Sequence, residues 1–492
     1  MIQSSSEDYS TLTNDVCEMW VPAVGAQTVT DLFTKNLENI FDYLLKTINI
    51  PYECSMYVLQ ELKQDCENFS SNFIFRRNFE TYFDTQPPFQ LGEAILSGSF
   101  SEGLFIYSTT ESPDIDFMCV LKNITFLQHN QEDGSLLLRE DTPFVYAFVT
   151  KEETQHLWSE FLHKVDEQTG KRRLSSKKLK EKLEENYKKA GGLFHTSGKK
   201  EELEEVAEGA AVTIRKPKPP EPSFECFAEL GKDFLTPPTN RPFDALYELV
   251  YAAVLDKLFP SSDIVLSIFC EGWPNCAREW ITRERLWPDI YSVEKITQSG
   301  FHLVPKSSAA GDFHLSFSCA ETMLIRTLSP LQHKVMRAFK AVVKYHQNIW
   351  NLPVKGIISS YYLKTIAFWH FEKTSMEFWT KETLVHHLVT LLHELAEALR
   401  IQNLPMYFMP KVNLLQEVDD PAVMLNLLEN ISQLSLNFSA MSEAINTASI
   451  GASIFLNSDN DIANRVNILD AKEKMVANII NSLTSNFPED TM

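Results

Sequence analysis

The alternation of apolar and polar positions divides the chain into a mixed front part and a helical rear part. Leu32, Leu37, Ile40, Phe41, Leu44 and Leu45 recur near helical spacing, and Tyr57 to Phe83 continues in that style. The pattern predicts two amphipathic helices before residue 85. Pro87-Pro88 breaks it. Leu91 to Leu96 leads into a small-residue turn, Gly98-Ser99-Phe100-Ser101-Glu102-Gly103, with Leu104-Phe105-Ile106 behind it. Asp114-Ile115-Asp116-Phe117-Met118-Cys119-Val120-Leu121 alternates and then turns fully apolar, as a strand entering a core does. A helical pattern at Phe243 to Phe259 precedes a second such strand, Asp263 to Phe269. From about Glu321 to Leu434, long apolar-periodic segments with few glycines predict a helical lobe. The opening to about Val21 and the last fifty residues are polar, and no solenoid repeat is present.

Composition sharpens this outline. A chain of 492 residues exceeds the size of one hydrophobic core, so two to four lobes are expected. At 44% apolar and 23% charged it is ordinary globular protein. A net charge of −21 counts against a protein that coats nucleic acid, although a local basic patch can still bind it. Residues 171–200 hold such a patch, with eleven Lys and Arg against three Glu. An acidic run, Glu201 to Glu208, and the extended linker Lys216 to Pro222 follow it. This stretch reads either as a solvated helix in an insertion or as a polyanion-binding arm. Eight cysteines without a CxxC pair read as thiols of a reducing compartment. The N-terminus lacks a basic and apolar leader, and no apolar run reaches roughly 18 residues. A soluble, cytoplasmic protein is expected.

The candidate chemistry starts at Asp114 and Asp116. At i and i+2 on a strand they share one face, where two carboxylates repel unless a cation neutralises them. Hard oxygen ligands at a partly open site suit Mg²⁺. Taken alone, the pair reads as solvated surface. Sixteen positions upstream of Asp114, Gly98-Ser99 can offer backbone N–H groups and a hydroxyl to a triphosphate. Asp263 stands at the mouth of the later strand. If that strand pairs beside the first, three carboxylates converge as two-metal phosphoryl or nucleotidyl transfer requires. Without that pairing, Asp263 reads as a strand-capping carboxylate.

These blocks resemble the nucleotidyltransferase superfamily of DNA polymerase beta and oligoadenylate synthetase. They are more similar to the Mab-21 (male-abnormal) domain proteins, and among them to cyclic GMP–AMP synthase and the cGAS-like receptors. The resemblance continues through Trp273-Pro274, Gly300 to Lys306, Leu315 to Glu321, Ser359 to Thr365 and Tyr407 to Leu414, in family order over roughly residues 30–440. It implies an α/β bilobal nucleotidyltransferase core, polymerase-beta-like, with a mixed sheet and a C-terminal helical lobe. It assigns Asp114, Asp116 and Asp263 to catalysis and to Mg²⁺ or Mn²⁺, and Gly98 and Ser99 to the triphosphate. Lys340 and Ser360 would meet donor phosphates, Tyr361 would stack on a base, and Glu321 would contact the nucleotide or organise the pocket. Without the family, a helix Tyr reads as core and a helix Lys as solvated.

Two positions depart from the family pattern. The DNA-sensing synthase carries a His/Cys zinc ribbon where Thr322 to Val343 holds His333 and no cysteine, so no zinc is expected. His314 stands where the family often has Arg, which puts guanine selection in doubt. The expected substrates are ATP plus GTP or a pyrimidine NTP, and the expected product is a cyclic dinucleotide made on sensing double-stranded RNA. Lys63, Arg76, Arg77 and the 171–200 run are the candidate contacts. The sequence leaves the oligomeric state open. The competing reading is a non-catalytic Mab-21-fold scaffold, and an ordinary polymerase- or terminal-transferase-like enzyme comes third. The expected domains are a flexible N-terminus (1–27), a core (28–325) with an insertion at 151–222, a helical lobe (326–440) and an appendage (441–492).

Overall fold

In the computed structural model, residues 82–104, 106, 114–127, 135–165, 170–190, 211–215, 261–350, 357–418 and 420–453 are described. The helices expected before residue 85 and at 243–259 lie outside them, apart from the last residues of the first group, as do Lys63, Arg76, Arg77, Lys199 and Lys200. The described strands are β1 (Leu91–Ser97), β2 (Asp114–Leu121), β3 (Leu136–Leu137), β4 (Phe144–Val149), β5 (Arg172–Arg173), β6 (Ala211–Arg215), β7 (Ser261–Cys270), β8 (Phe301–Val304) and β9 (Phe313–Ser316). They form one mixed sheet in the order β1-β2-β7-β8-β9-β4-β3, with β5 on β4 and β6 on β7. The longer helices are α1 (Ser176–Ala190), α2 (Ile290–Gln298), α3 (Ser318–Arg326), α4 (Pro330–Ile349), α5 (Ser360–Lys373), α6 (Leu384–Ile401), α7 (Pro421–Ser435) and α8 (Phe438–Ser453). The fold is the expected bilobal α/β arrangement.

β7 organises the core. Ile264, Leu266, Ile268 and Cys270 are buried on one face, as period-two alternation requires. Its first half pairs with β6 and its second with β8, while β2 runs parallel along the other edge. The helical lobe seats on this sheet through aromatic rings. Trp273, Trp280 and Phe317 of the core lie 5.4, 4.9 and 4.9 Å from the Phe408 ring. Tyr407 packs 5.1 Å from Phe368 on α5. The block Tyr407-Phe408-Met409 is therefore the buried plug between lobe and core.

The described part of the basic stretch is a helix with Lys177, Lys188 and Lys189 exposed, and its other face docks on the core. α1 buries Leu179, Leu183 and Tyr187 at i, i+4 and i+8, Asn186 donates to Tyr82 O, and Lys182 pairs with Asp84 at 3.1 Å. β5 and β6, from the same region, are strands of the central sheet. Three apolar positions suffice to dock a helix whose average composition is strongly polar. The helical lobe also runs past residue 440, because α8 buries Met441, Ala444 and Ile445.

Candidate active site

The register of β2 on β7 pairs Asp116 with Asp263. Partners in parallel strands project to the same face, so the two carboxylates stand side by side at the mouth of the sheet. Asp114 opens β2 two positions earlier, opposite Ser261. On the other edge, β1 pairs Ser97 with Asp116, and the Ser97 hydroxyl donates to Asp116 O at 3.3 Å. The chain then turns at Gly98, whose φ of +71° lies in the left-handed region. A Cβ at residue 98 would fall 1.7 Å from Asp116 Oδ2, so only glycine lets the carboxylate lie against the turn.

Asp263 Oδ1 is buried and has no hydrogen-bond partner among the described residues. An orphaned carboxylate oxygen beside a second carboxylate fits a site whose missing partner is a cation. Among the described residues no group of three His, Cys, Asp or Glu forms a metal cluster, and the pair Asp116–Asp263 is what the described side chains contribute.

The helical lobe closes over the turn. Ser329 caps α4 with a reciprocal capping box to Gln332, and Pro330 starts the helix. Lys340 on α4 donates to Ser99 Oγ at 2.8 Å and to Leu104 O at 3.2 Å. Ser359 caps α5 by accepting from Tyr362 N, which puts Ser360 and Tyr361 in its first turn. Lys364, one turn on, donates to Glu102 Oε1 at 2.6 Å and Glu321 Oε2 at 2.8 Å. Burial pushes the Glu102 carboxyl above its usual range, against the opposing pull of Lys364. Burial alone would lower the Lys364 pKa, but Glu102 and Glu321 hold it above the normal lysine range. Ser99, Glu102, Leu104, Met336, Lys340, Ser360, Leu363 and Lys364 line a cavity of about 20 Å³, room for one water. In this conformation the helical lobe touches the turn directly.

Gly98, Ser99, Lys340, Ser360 and Glu321 therefore gather around one turn, with Asp116 and Asp263 beside it. Tyr361 is half-buried against the core, and burial with nearby Glu321 raises its phenol well above the usual range. An open base platform is not what this packing shows. His314 packs edge-on against Phe144 at 5.1 Å, and burial lowers its pKa to about 4, so it supplies no cation at neutral pH. Sequence reasoning gave no role to Glu102 or Lys364. Lys364 was findable, since it stands four residues after Ser360, on the same helix face.

Residues 115–327 match the Mab-21 protein nucleotidyltransferase domain. Residues 332–438 match the Mab-21 protein HhH/H2TH-like domain. Together they span about two thirds of the chain, which belongs to the Mab-21 family and carries its nucleotidyltransferase domain. Among the described residues no helix is long and apolar enough to cross a membrane.

Proposed function

We propose that the protein is a metal-dependent nucleotidyltransferase that joins two NTPs into a cyclic dinucleotide when it senses double-stranded RNA, as a cytoplasmic receptor of innate immunity. The observation that carries the catalytic part is the pairing of Asp116 with Asp263 beside the Gly98 turn, with Asp263 Oδ1 buried and unpartnered among the described residues. A scaffold has no physical need for adjoining carboxylates at a glycine that only they require. Asp114, Asp116 and Asp263 would hold Mg²⁺ or Mn²⁺. When bound, such ions activate the attacking hydroxyl and steady the leaving oxygens of an in-line displacement. Ser99, Lys340, Ser360 and the N-terminus of α5 would bind the triphosphate, and Glu321 would hold Lys364 in place.

The RNA part rests on charge. Lys177, Lys188 and Lys189 lie on the exposed side of α1. Double-stranded RNA is read by shape and phosphate, which needs such contacts and no base recognition. The test is to incubate the full chain with the four NTPs, Mg²⁺ or Mn²⁺ and a panel of double-stranded RNA and DNA, then chromatograph the products. A new cyclic dinucleotide with RNA supports the reading. No product under any condition, with correctly folded protein, returns the scaffold reading.

A further inference from the structure

His333, Arg337 and Lys340 stand at i, i+4 and i+7 on α4, and so line one face of the helix. Their side chains meet three consecutive carbonyls of the turn that follows Ser99. His333 Nε2 lies 3.0 Å from Glu102 O, Arg337 Nε donates to Gly103 O, and Lys340 Nζ donates to Leu104 O at 3.2 Å. A carbonyl only accepts, so Nε2 of His333 carries the proton. Lys340 already belongs to the site, whereas His333 and Arg337 have so far no part in it.

The turn is shaped to receive both side chains. Gly103 has a φ of +64°, and a Cβ there would sit 3.2 Å from Arg337 Nη2 and 3.3 Å from His333 Cε1. Within the turn, Glu102 N donates to Gly98 O at 3.2 Å, Leu104 N to Ser99 O at 2.9 Å and Ser101 Oγ to Gly98 O at 3.0 Å. A single helical turn of this kind is marginal in water. Its position is therefore set from outside, by α4 on one side and by Lys364 on Glu102 on the other.

From this geometry we infer that His333 and Arg337 are positioning residues, which hold the Gly98–Leu104 turn where its amides and the Ser99 hydroxyl can grip a triphosphate. The inference rests on the nucleotidyltransferase reading above. Neither residue touches substrate; each acts through the backbone of the turn. Seating the helical lobe is then the event that completes the phosphate site, which gives lobe movement a direct route to substrate affinity.

The experiment compares the full chain with His333→Leu, His333→Gln and Arg337→Met. Glutamine keeps an N–H donor near the place of Nε2, while leucine and methionine keep bulk without it. Two quantities are read: hydrogen exchange at the Glu102 and Leu104 amides, and the affinity for ATP with Mg²⁺. In His333→Leu and Arg337→Met the amides should exchange at least about tenfold faster, and ATP should bind at least about tenfold more weakly. His333→Gln should recover most of both, and exchange in β7 should not move in any variant. If a variant does not fold, Arg337→Lys replaces it, losing the guanidinium fork but keeping charge and stem. Unchanged exchange overturns the inference, and so does faster exchange with unchanged ATP affinity, which marks a merely structural tether. Failure of the unmodified chain to bind ATP sinks the functional reading itself and is seen before any variant is compared.

Discussion

The carboxylate of Asp116 lies against the backbone of Gly98 so closely that a methyl group there would reach 1.7 Å from Oδ2. Gly98 opens the turn that follows β1 and Asp116 lies on the neighbouring β2, so their contact ties that turn to the strand. Gly98→Ala should therefore do two things: strain a left-handed backbone and displace Asp116. Gly170→Ala separates them, because Gly170 also has a positive φ, +67°, with nothing among the described residues within 4 Å of an added Cβ. Both variants should lose on the order of 1–2 kcal/mol in urea unfolding from the backbone alone. Gly98→Ala should in addition lose dinucleotide formation, while Gly170→Ala keeps it. Full activity in Gly98→Ala would mean that Asp116 is not needed where it lies.

Asp116→Asn and Asp263→Asn test the carboxylates directly. Each amide keeps the size of the side chain and loses the charge that would hold a divalent cation under the proposed function. The melting temperature in EDTA should stay level or rise, since adjoining like charges are relieved. Added Mg²⁺ should stabilise the unmodified chain by mass action and fail to stabilise either variant. Product should fall to background in both. A variant with intact Mg²⁺ stabilisation places the cation elsewhere.

What the sequence could and could not display follows from range. The strands of Asp116 and Asp263 were legible because alternation that turns apolar is a local pattern. Their pairing was left conditional, since register depends on residues far apart in the chain, and the structure supplies it. Gly98 and Ser99 showed as a small-residue turn, yet the reason only glycine fits at 98 is a contact with another strand. Lys364 shares a helix face with Ser360, but its pairing with Glu102 spans 262 positions and no local pattern shows it. The docked face of α1 is hard to read for a different reason. Its lysines dominate the composition, and the three residues that dock it, Leu179, Leu183 and Tyr187, are a minority that only burial reveals.

Lys364 is the cation between two buried carboxylates, so its loss should be severe. Lys364→Met leaves Glu102 and Glu321 facing each other without a counter-charge, at a cost of roughly 3–5 kcal/mol near neutral pH. Its own raised pKa means that its stabilisation is fully present below the normal lysine range, and so throughout neutral pH. Glu102 has the same sign in a lower pH window. Its folded pKa is raised, so stability is highest while it is protonated and falls as pH rises through that value. In Lys364→Met the opposing pull of the lysine is gone, and the deficit should grow from pH 5 to pH 8. Adding Glu102→Gln should recover part of it at pH 8 and little at pH 5. Urea unfolding at the two pH values checks this.

His302 on β8 is buried, with Nδ1 lacking a partner, and burial lowers its pKa to about 4. A depressed histidine stabilises the fold above its unfolded value near 6.5, and that stabilisation is lost as pH falls toward 4. His302→Phe keeps an aromatic ring in a slot already facing Phe269, and removes the orphaned nitrogen. Unfolding at pH 7 should be unchanged or up to about 1–3 kcal/mol more costly, because no buried polar atom is left unpaired. The acid limb between pH 6.5 and 4 should be shallower than in the unmodified chain. An unaltered limb would assign the acid sensitivity to other groups such as His387, also held at about 4 by burial.

The RNA contact can be tested without touching the helix's docking. Lys178 Nζ donates to the carbonyls of Glu160 and Leu162, and Lys182 pairs with Asp84, so both serve to seat α1 on the core. Lys177 and Lys189 instead make exposed i,i+4 pairs with Glu181 and Glu185, and Lys188 is exposed beside them. Such surface pairs are worth about 0.3–0.5 kcal/mol each and yield readily to a phosphate. Replacing Lys177, Lys188 and Lys189 by Gln should leave the fold intact and weaken binding of double-stranded RNA uniformly across sequences. Each phosphate contact releases condensed counterions, so the slope of log affinity against log salt should fall by about three, near one per lysine. Lys178→Met should behave differently, loosening the α1 dock and lowering the melting temperature. A salt slope that is shallow in the unmodified chain, or identical in the triple variant, would remove α1 as the RNA face and with it the basis for RNA as activator.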